Sequence, residues 1–277
     1  LRALVGRLAT GPNVLAIQAL NATPEDSTLL VLPELEGRRV TYGTAKLRYY
    51  GTPTPGEDND DGPGFAGPIV QHEPPLGAGT QDQAIELSVE TIPTGLPVTG
   101  ATLVYRVMFG PEVPVPMTDA GEGVYTAAIP AGVATPGQMI RWYFLANDAF
   151  GNKGRAPTFL DPIDSEQYYG TIVADPSITS NLPVIHWFVQ DLAAAGTRTG
   201  TRCSVFYGEE FYDNVRADLH GQSTAGFPKK SYDLDFNSDH RFRLSDAYKR
   251  MKDINLLTNY ADKSKMRNTL AYETLRD

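Results

Sequence analysis

Between residues 84 and 146 apolar and polar positions alternate in short runs. Ala84-Ile85-Glu86-Leu87-Ser88-Val89 has period 2, the pattern of a strand with one buried face. The segments 101–107, 123–129 and 139–146 read as further strands, separated by the turn signals Pro93-Thr94-Gly95 and Asp119-Ala120-Gly121; Phe150-Gly151-Asn152 is a third such signal after them. Strands of this length at this spacing predict a two-layered β-sandwich over residues 69–175, with Leu103, Tyr105, Ile140 and Trp142 pointing inward. Trp142 and Tyr143 suit core packing; a sugar-binding platform is the other reading.

After Leu182 the pattern changes. Residues 182–189 read as a strand, Phe188 to Ala195 as the start of a helix ended by Gly196, and 203–208, 212–220 and 228–236 as further strands. Residues 264–277 predict a helix that Asp262 can cap, with Met266, Leu270, Ala271 and Leu275 along one face. At the other end, residues 14–21 form a near-continuous apolar strand, and residues 51–68 a linker that begins with the extended Thr52-Pro53-Thr54-Pro55-Gly56. Glu57, Asn59, Asp61 and Gly62 occupy calcium-loop positions, but Pro68 stands where the closing Glu belongs, so a solvated linker is expected.

Hydrophobic residues make up 41% of the 277, enough for real cores, and 26 Gly and 21 Pro favour short strands with many turns. The net charge of −9 argues against a nucleic-acid partner for the whole chain. Residues 226–277 depart from that balance, with 11 Lys or Arg against 8 Asp or Glu. A basic stretch in an acidic chain fits an anionic ligand such as a nucleotide, or is a solvated face. The one cysteine, Cys203, rules out an intrachain disulfide, and no apolar run is long enough to span a membrane. No metal-ligand spacing links His186, His220 and His240, and no metal site is expected from the sequence. Leu1 in place of an initiator Met, and an end within a helical pattern, suggest a piece of a longer protein.

Two blocks carry candidate chemistry. The first runs from Leu219-His220-Gly221-Gln222-Ser223-Thr224 to Pro228-Lys229-Lys230-Ser231-Tyr232. The second includes Leu256-Leu257-Thr258-Asn259-Tyr260-Ala261-Asp262-Lys263-Ser264, then Arg267-Asn268 and Ala271-Tyr272-Glu273. Strand, Gly-containing polar turn, strand with Lys and helix with Glu is the layout of a kinase N-lobe. Gly221 lets backbone N–H groups approach phosphate oxygens, and Ser223 and Thr224 add hydroxyl donors. Lys230 shares a strand face with Tyr232, Leu234 and Phe236, so it is the better candidate for a phosphate-pairing lysine, with Lys229 on the other face. Glu273 is a candidate partner for that lysine, and Arg267 is a second cation near the helix start. The plainer readings are an exposed strand-end lysine, a hairpin loop, a solvent-facing glutamate, and turn and cap roles for Asn259 and Asp262. Gly221-Gln222-Ser223-Thr224-Ala225 also approaches a hydrolase nucleophile elbow, but a strand, not a helix, is predicted to follow.

In order and spacing the two blocks resemble the CotH (spore-coat-protein-H-like) kinase family, over residues 182–277. They match its Gly-x-Ser-Ser…Lys-Lys-x-Tyr and Leu-Leu-x-Asn-Tyr-x-Asp-Lys-Ser…Arg-Asn…Ala-Tyr-Glu patterns; His220 stands where the family often has Arg. Residues 69–175 resemble the Ig-like or fibronectin-III-like modules of bacterial extracellular proteins, and the first 36 residues the last strands of a galactose-binding-like sandwich.

The expectation is a mainly β, multidomain chain. It comprises a galactose-binding-like sandwich remnant (1–50), the linker (51–68), an Ig-like β-sandwich (69–175) and a truncated α+β kinase-like N-lobe (176–277). The resemblance implies an atypical protein kinase that uses ATP and Mg²⁺ to phosphorylate a protein hydroxyl. It implies an extracellular or cell-surface location, catalytic carboxylates supplied beyond Asp277, and no activity from the fragment itself. The alternative is a non-catalytic extracellular scaffold whose sandwiches bind cell-surface carbohydrate or protein.

Overall fold

A computed structural model describes residues 66–223 and 225–274, together with the isolated positions Thr23 and Gly56. The expected sandwich remnant and most of the linker, with its acidic loop, lie outside these residues. The described chain is mainly β and all its named strand pairs are antiparallel.

The first part runs through β1 (Ile69–Gln71), β2 (Ile85–Ile92), β3 (Val98–Val107), β4 (Val113–Pro116), β5 (Thr118–Gly121), β6 (Val124–Ile129), β7 (Met139–Asp148), β8 (Lys153–Ala156) and β9 (Tyr169–Ile172). They form two sheets. One has the order β1-β2-β6-β5; the other has the order β4-β3-β7-β8, with β9 also paired to β7. Period-2 patterning builds the layer between them. Leu87 and Val89 of one sheet pack with Leu103, Tyr105, Ile140, Trp142 and Phe144 of the other, all buried. The expected inward set is thus the observed one.

β7 explains why its sequence is nearly all apolar. Ile140, Trp142 and Phe144 face the sandwich core. Met139, on the opposite face, packs against Phe188, Phe206 and Phe211 of a third sheet. A strand covered on both faces has no solvent side on which to place polar residues.

The third sheet comprises β10 (Ile185–Val189), β11 (Thr201–Tyr207), β12 (Glu210–His220), β13 (Ser231–Asp235) and β14 (Asp253–Leu256) in that order, with the short helix α1 (Leu192–Ala195) after β10 and α2 (Arg267–Thr274) at the end. One face carries its own core, where Cys203, Val205, Tyr212, Val215, Ala217, Leu234 and Phe236 are buried. The other face turns Phe188, Phe206 and Phe211 to the sandwich. Gly170 on β9 is required there, because a Cβ at that position would lie 2.4 Å from the Phe211 ring.

At the same junction the Arg141 guanidinium donates to Asp213 Oδ1 at 3.1 Å, with both side chains almost fully buried. Rings of Phe109 and Tyr168 each lie 4.7 Å from that guanidinium. Ser204 Oγ and the Tyr168 backbone N–H also donate to Asp213, at 2.7 and 3.0 Å. A buried ion pair persists only with such extra bonds, since each charge has lost its water.

Several elements differ from the sequence expectation. Asp119-Ala120-Gly121, read as a turn, belongs to β5. The turn is Glu122-Gly123, both at positive φ (53° and 81°), the geometry that suits the twist of a two-residue hairpin. The helix expected from Phe188 starts only at Leu192, where Asp191 accepts from the Ala194 N–H at 3.0 Å; Phe188 is held in β10 by its burial against the sandwich. The strand expected over 228–236 spans Ser231–Asp235. The last helix starts at Arg267 and buries none of its residues.

Candidate functional site

A cleft of about 310 Å³ opens at the end of the third sheet farthest along the β12–β13 hairpin. His220 and Gly221 contribute from the end of β12, Lys229 from just before β13 and Ser231 from its start, residues 257–262 from the loop after β14, and Asn268 from α2.

Local bonds fix each wall. Gly221 takes φ +84°, which lets the chain leave β12 in a left-handed turn. Arg198 donates to the Leu219 carbonyl at 2.9 Å and also to the Gly221 carbonyl. His220 Nδ1 lies 2.6 Å from Asp233 Oδ1 across the hairpin. The Thr258 N–H donates to Ser231 Oγ at 3.2 Å, and Thr258 Oγ1 donates to the Lys229 carbonyl at 3.4 Å. Asn259, at φ 48°, accepts on Oδ1 from Asn268 Nδ2 at 2.8 Å, so the loop after β14 and α2 are tied together. Phe227 and Tyr260 form an aromatic pair at the rim, ring centres 5.6 Å apart, with Lys265 Nζ 5.2 Å from the Tyr260 ring.

Asp262 is the carboxylate among the lining residues. Its oxygens already accept from the Arg267 N–H at 2.9 Å and from the Ser264 N–H and hydroxyl. The Arg267 N–H, ahead of the Ser264 bonds and the Arg267 charge, holds this carboxyl below its ordinary value. Among the described residues no group of three His, Cys, Asp or Glu side chains is arranged to hold a metal ion.

The candidate residues named from sequence separate here. Gly221 and Lys229 line the cleft. Lys230 is half-buried and its ammonium donates to the Gly196 carbonyl at 2.9 Å, which places it beside the end of α1. Ser223 is exposed in the turn that follows Gly221, and Thr224 lies outside the described residues. Arg267 approaches Asp262 at 3.5 Å, and Glu273 is exposed on α2. The strand-parity argument holds for the core: Leu234 and Phe236 are buried together and the Tyr232 ring packs on Trp187 at 4.7 Å. The open space lies on the other side, with Lys229 and Ser231. Phe227, Tyr260 and Asn268 were not singled out from sequence; their signal is their place within the two blocks, next to Gly221 and Asn259.

Fold and cleft together define a mainly β protein whose last sheet ends in a cleft with cationic, hydroxyl and amide walls. The family model described as CotH kinase protein matches residues 217–277, and this segment is CotH-like. Every residue lining the cleft falls inside that match. No curated protein matches the chain.

Proposed function

We propose that this cleft takes the phosphates of ATP and that the intact protein transfers the γ-phosphoryl group to a hydroxyl of a protein substrate. The observation that carries the reading is the confinement of the whole cleft, Gly221 and Lys229 included, to the CotH-like segment. Phosphoryl transfer needs positioning and charge stabilisation more than covalent help from the protein. Lys229 supplies a compact cation, the left-handed turn at Gly221 exposes backbone to the ligand, and Ser231 and Thr258 supply hydroxyls. ATP supplies the transferred group and its leaving ADP. The described residues do not fit Mg²⁺, because the oxygens of Asp262 are already engaged by the loop before α2. On this reading the 277-residue chain alone does not transfer phosphate, and the activity belongs outside the cell or at its surface.

The test is ATP-dependent phosphorylation by the intact protein and its Lys229→Ala and Lys230→Ala variants. Loss in Lys229→Ala with Lys230→Ala active supports the cleft as drawn. The reverse result moves the phosphates to the other strand face, with Glu273 as the partner of Lys230. Wild-type activity in both variants would overturn a phosphate site at either lysine, and no activity in the intact wild type supports the non-catalytic scaffold.

A further inference from the structure

A second cluster of titratable groups lies far from this cleft, where the third sheet meets the loop between β8 and β9. His240 Nδ1 lies 2.6 Å from Glu166 Oε1, and its Nε2 lies 3.6 Å from Glu210 Oε2. Glu166 belongs to the β8–β9 loop, Glu210 begins β12, and His240 sits in the segment between β13 and β14. One imidazole therefore joins three stretches that are distant in sequence. The Tyr212 ring stacks on it, centres 4.6 Å apart. An open cleft of about 230 Å³, lined in part by Glu166, Glu209, Glu210, His240 and Arg250, gives water access to the group.

The surrounding charges set what the imidazole can do. Glu210 is held as an anion: Arg250 grips it with two bonds of 2.9 Å, Arg243 approaches at 2.7 Å, and the Tyr212 hydroxyl donates at 2.6 Å. Glu166 also accepts from the Asp213 N–H at 3.3 Å, and the Asp213 charge adds a second anion on its side. A protonated imidazole satisfies both carboxylates at once. A neutral one keeps a single N–H, and donating it to Glu166 leaves a lone pair facing the Glu210 anion.

We propose that His240, clasped between Glu166 and Glu210, is a pH-sensitive latch that fastens the β8–β9 loop to the third sheet when protonated and loosens it when neutral. The other bonds of this loop do not depend on that proton. Asn214 Nδ2 donates to the Pro162 and Ser165 carbonyls at 3.0 and 2.7 Å, and the Ser238 N–H donates to Asp164 at 2.8 Å. The loop thus stays attached at residues 162–165, and beyond Glu166 by Arg155 donating to the Gln167 carbonyl at 2.6 Å and the Tyr168 N–H donating to Asp213 at 3.0 Å; the latch governs the Glu166 tether between these anchors. Titration directions agree with the geometry. Burial disfavours the imidazolium, but the Glu166 bond and charge, then the Glu210 charge, outweigh it, with Arg250 opposing, and raise His240 above 6.5. Burial raises Glu166 despite its bond to His240. Both shifts make the pair hold its proton to higher pH than either group would alone in water. A histidine raised on folding stabilises below its unfolded value of 6.5, and that contribution is lost as pH rises through the folded value.

The experiment is hydrogen exchange of the 277-residue chain from pH 5.5 to 8.5, corrected for intrinsic rates, with imidazole NMR titration alongside. Protection of the Tyr168 N–H, which is bonded to Asp213 two residues past Glu166, should fall as pH rises through this range. Protection at Trp142 and Phe144 should hold, and the fall should vanish in His240→Gln. The His240 resonance, assigned by its loss in that variant, should titrate above 6.5. A flat protection profile in the wild type, the same fall in the variant, or a His240 midpoint at or below 6.5 would overturn the latch. Should His240→Gln fail to fold, the protection profile of the wild type decides.

Discussion

Trp142 and Leu270 are both large apolar side chains in regular elements, and they sit at opposite extremes of packing. Trp142 is fully buried in the sandwich, whereas Leu270 on α2 is 58% exposed and Tyr272 on the same helix is more exposed still. Yet the family match falls on the α2 region and leaves the sandwich outside it. Packing energy and recognisable residues are distributed separately. A sandwich layer is specified by where apolar residues fall, and many apolar residues of suitable volume fill it. The cleft depends on individual polar identities such as Lys229, Asn259 and Asn268, which contribute little to stability and much to what can bind.

The largest expected effects lie at the sandwich and its junction. Trp142→Ala should cost about 3–5 kcal/mol by urea denaturation, as large-to-small core changes do. Leu270→Ala should stay within about 0.5 kcal/mol, as surface changes do. Equal losses would erase the contrast. Asp213→Ala should also cost about 3–5 kcal/mol, because Arg141 would be left as an uncompensated buried charge between Phe109 and Tyr168. A smaller loss would mean that water enters the junction.

Acid should weaken the cluster around Glu210 at the low end of the pH range. Burial raises this carboxyl, but the bonds from Arg250 and Tyr212 and the charges of Arg250 and Arg243 outweigh it and hold it at about 2, against an ordinary 4.5. A depressed carboxylate stabilises above its unfolded value and loses that contribution as pH falls through the folded one. The melting temperature should therefore decline from pH 4.5 towards pH 2, and less steeply in Glu210→Gln. Parallel curves would show that these arginines act elsewhere. A modest effect, between those of the core and of Leu270, is expected at α1, where Asp191→Ala removes the side-chain bond to the Ala194 N–H and should cost about 1 kcal/mol.

Sequence pattern exposed the strands with a clear period and hid those without one. β2, β3, β6 and β7 were legible because Leu87, Val89, Leu103, Tyr125, Ile129, Ile140 and Trp142 alternate with residues of the other face. β4 was hidden by Pro114 and Pro116, and β5 by the turn-like Asp119-Ala120-Gly121, both at sheet edges where few apolar residues are needed. β14 was read only as part of a motif. The junction pairs Arg141–Asp213 and Glu166–His240 were illegible, since each joins residues more than 70 positions apart and leaves no local period. At the cleft, parity along β13 separated Lys229 from Lys230, but periodicity alone does not say which sheet face stays open. That depends on the β14–α2 loop, whose Asn259 and Tyr260 come from another part of the chain.

The central claim is that the cleft beside Lys229 receives nucleotide phosphates, and its most direct test is calorimetric titration of ATP into the intact protein. Losing a charge-assisted bond removes about 1.5–3 kcal/mol, roughly tenfold or more in affinity. The account predicts saturable ATP binding that weakens by at least about tenfold in Lys229→Ala and changes little in Lys230→Ala. Equal affinity in the wild type and Lys229→Ala would contradict it.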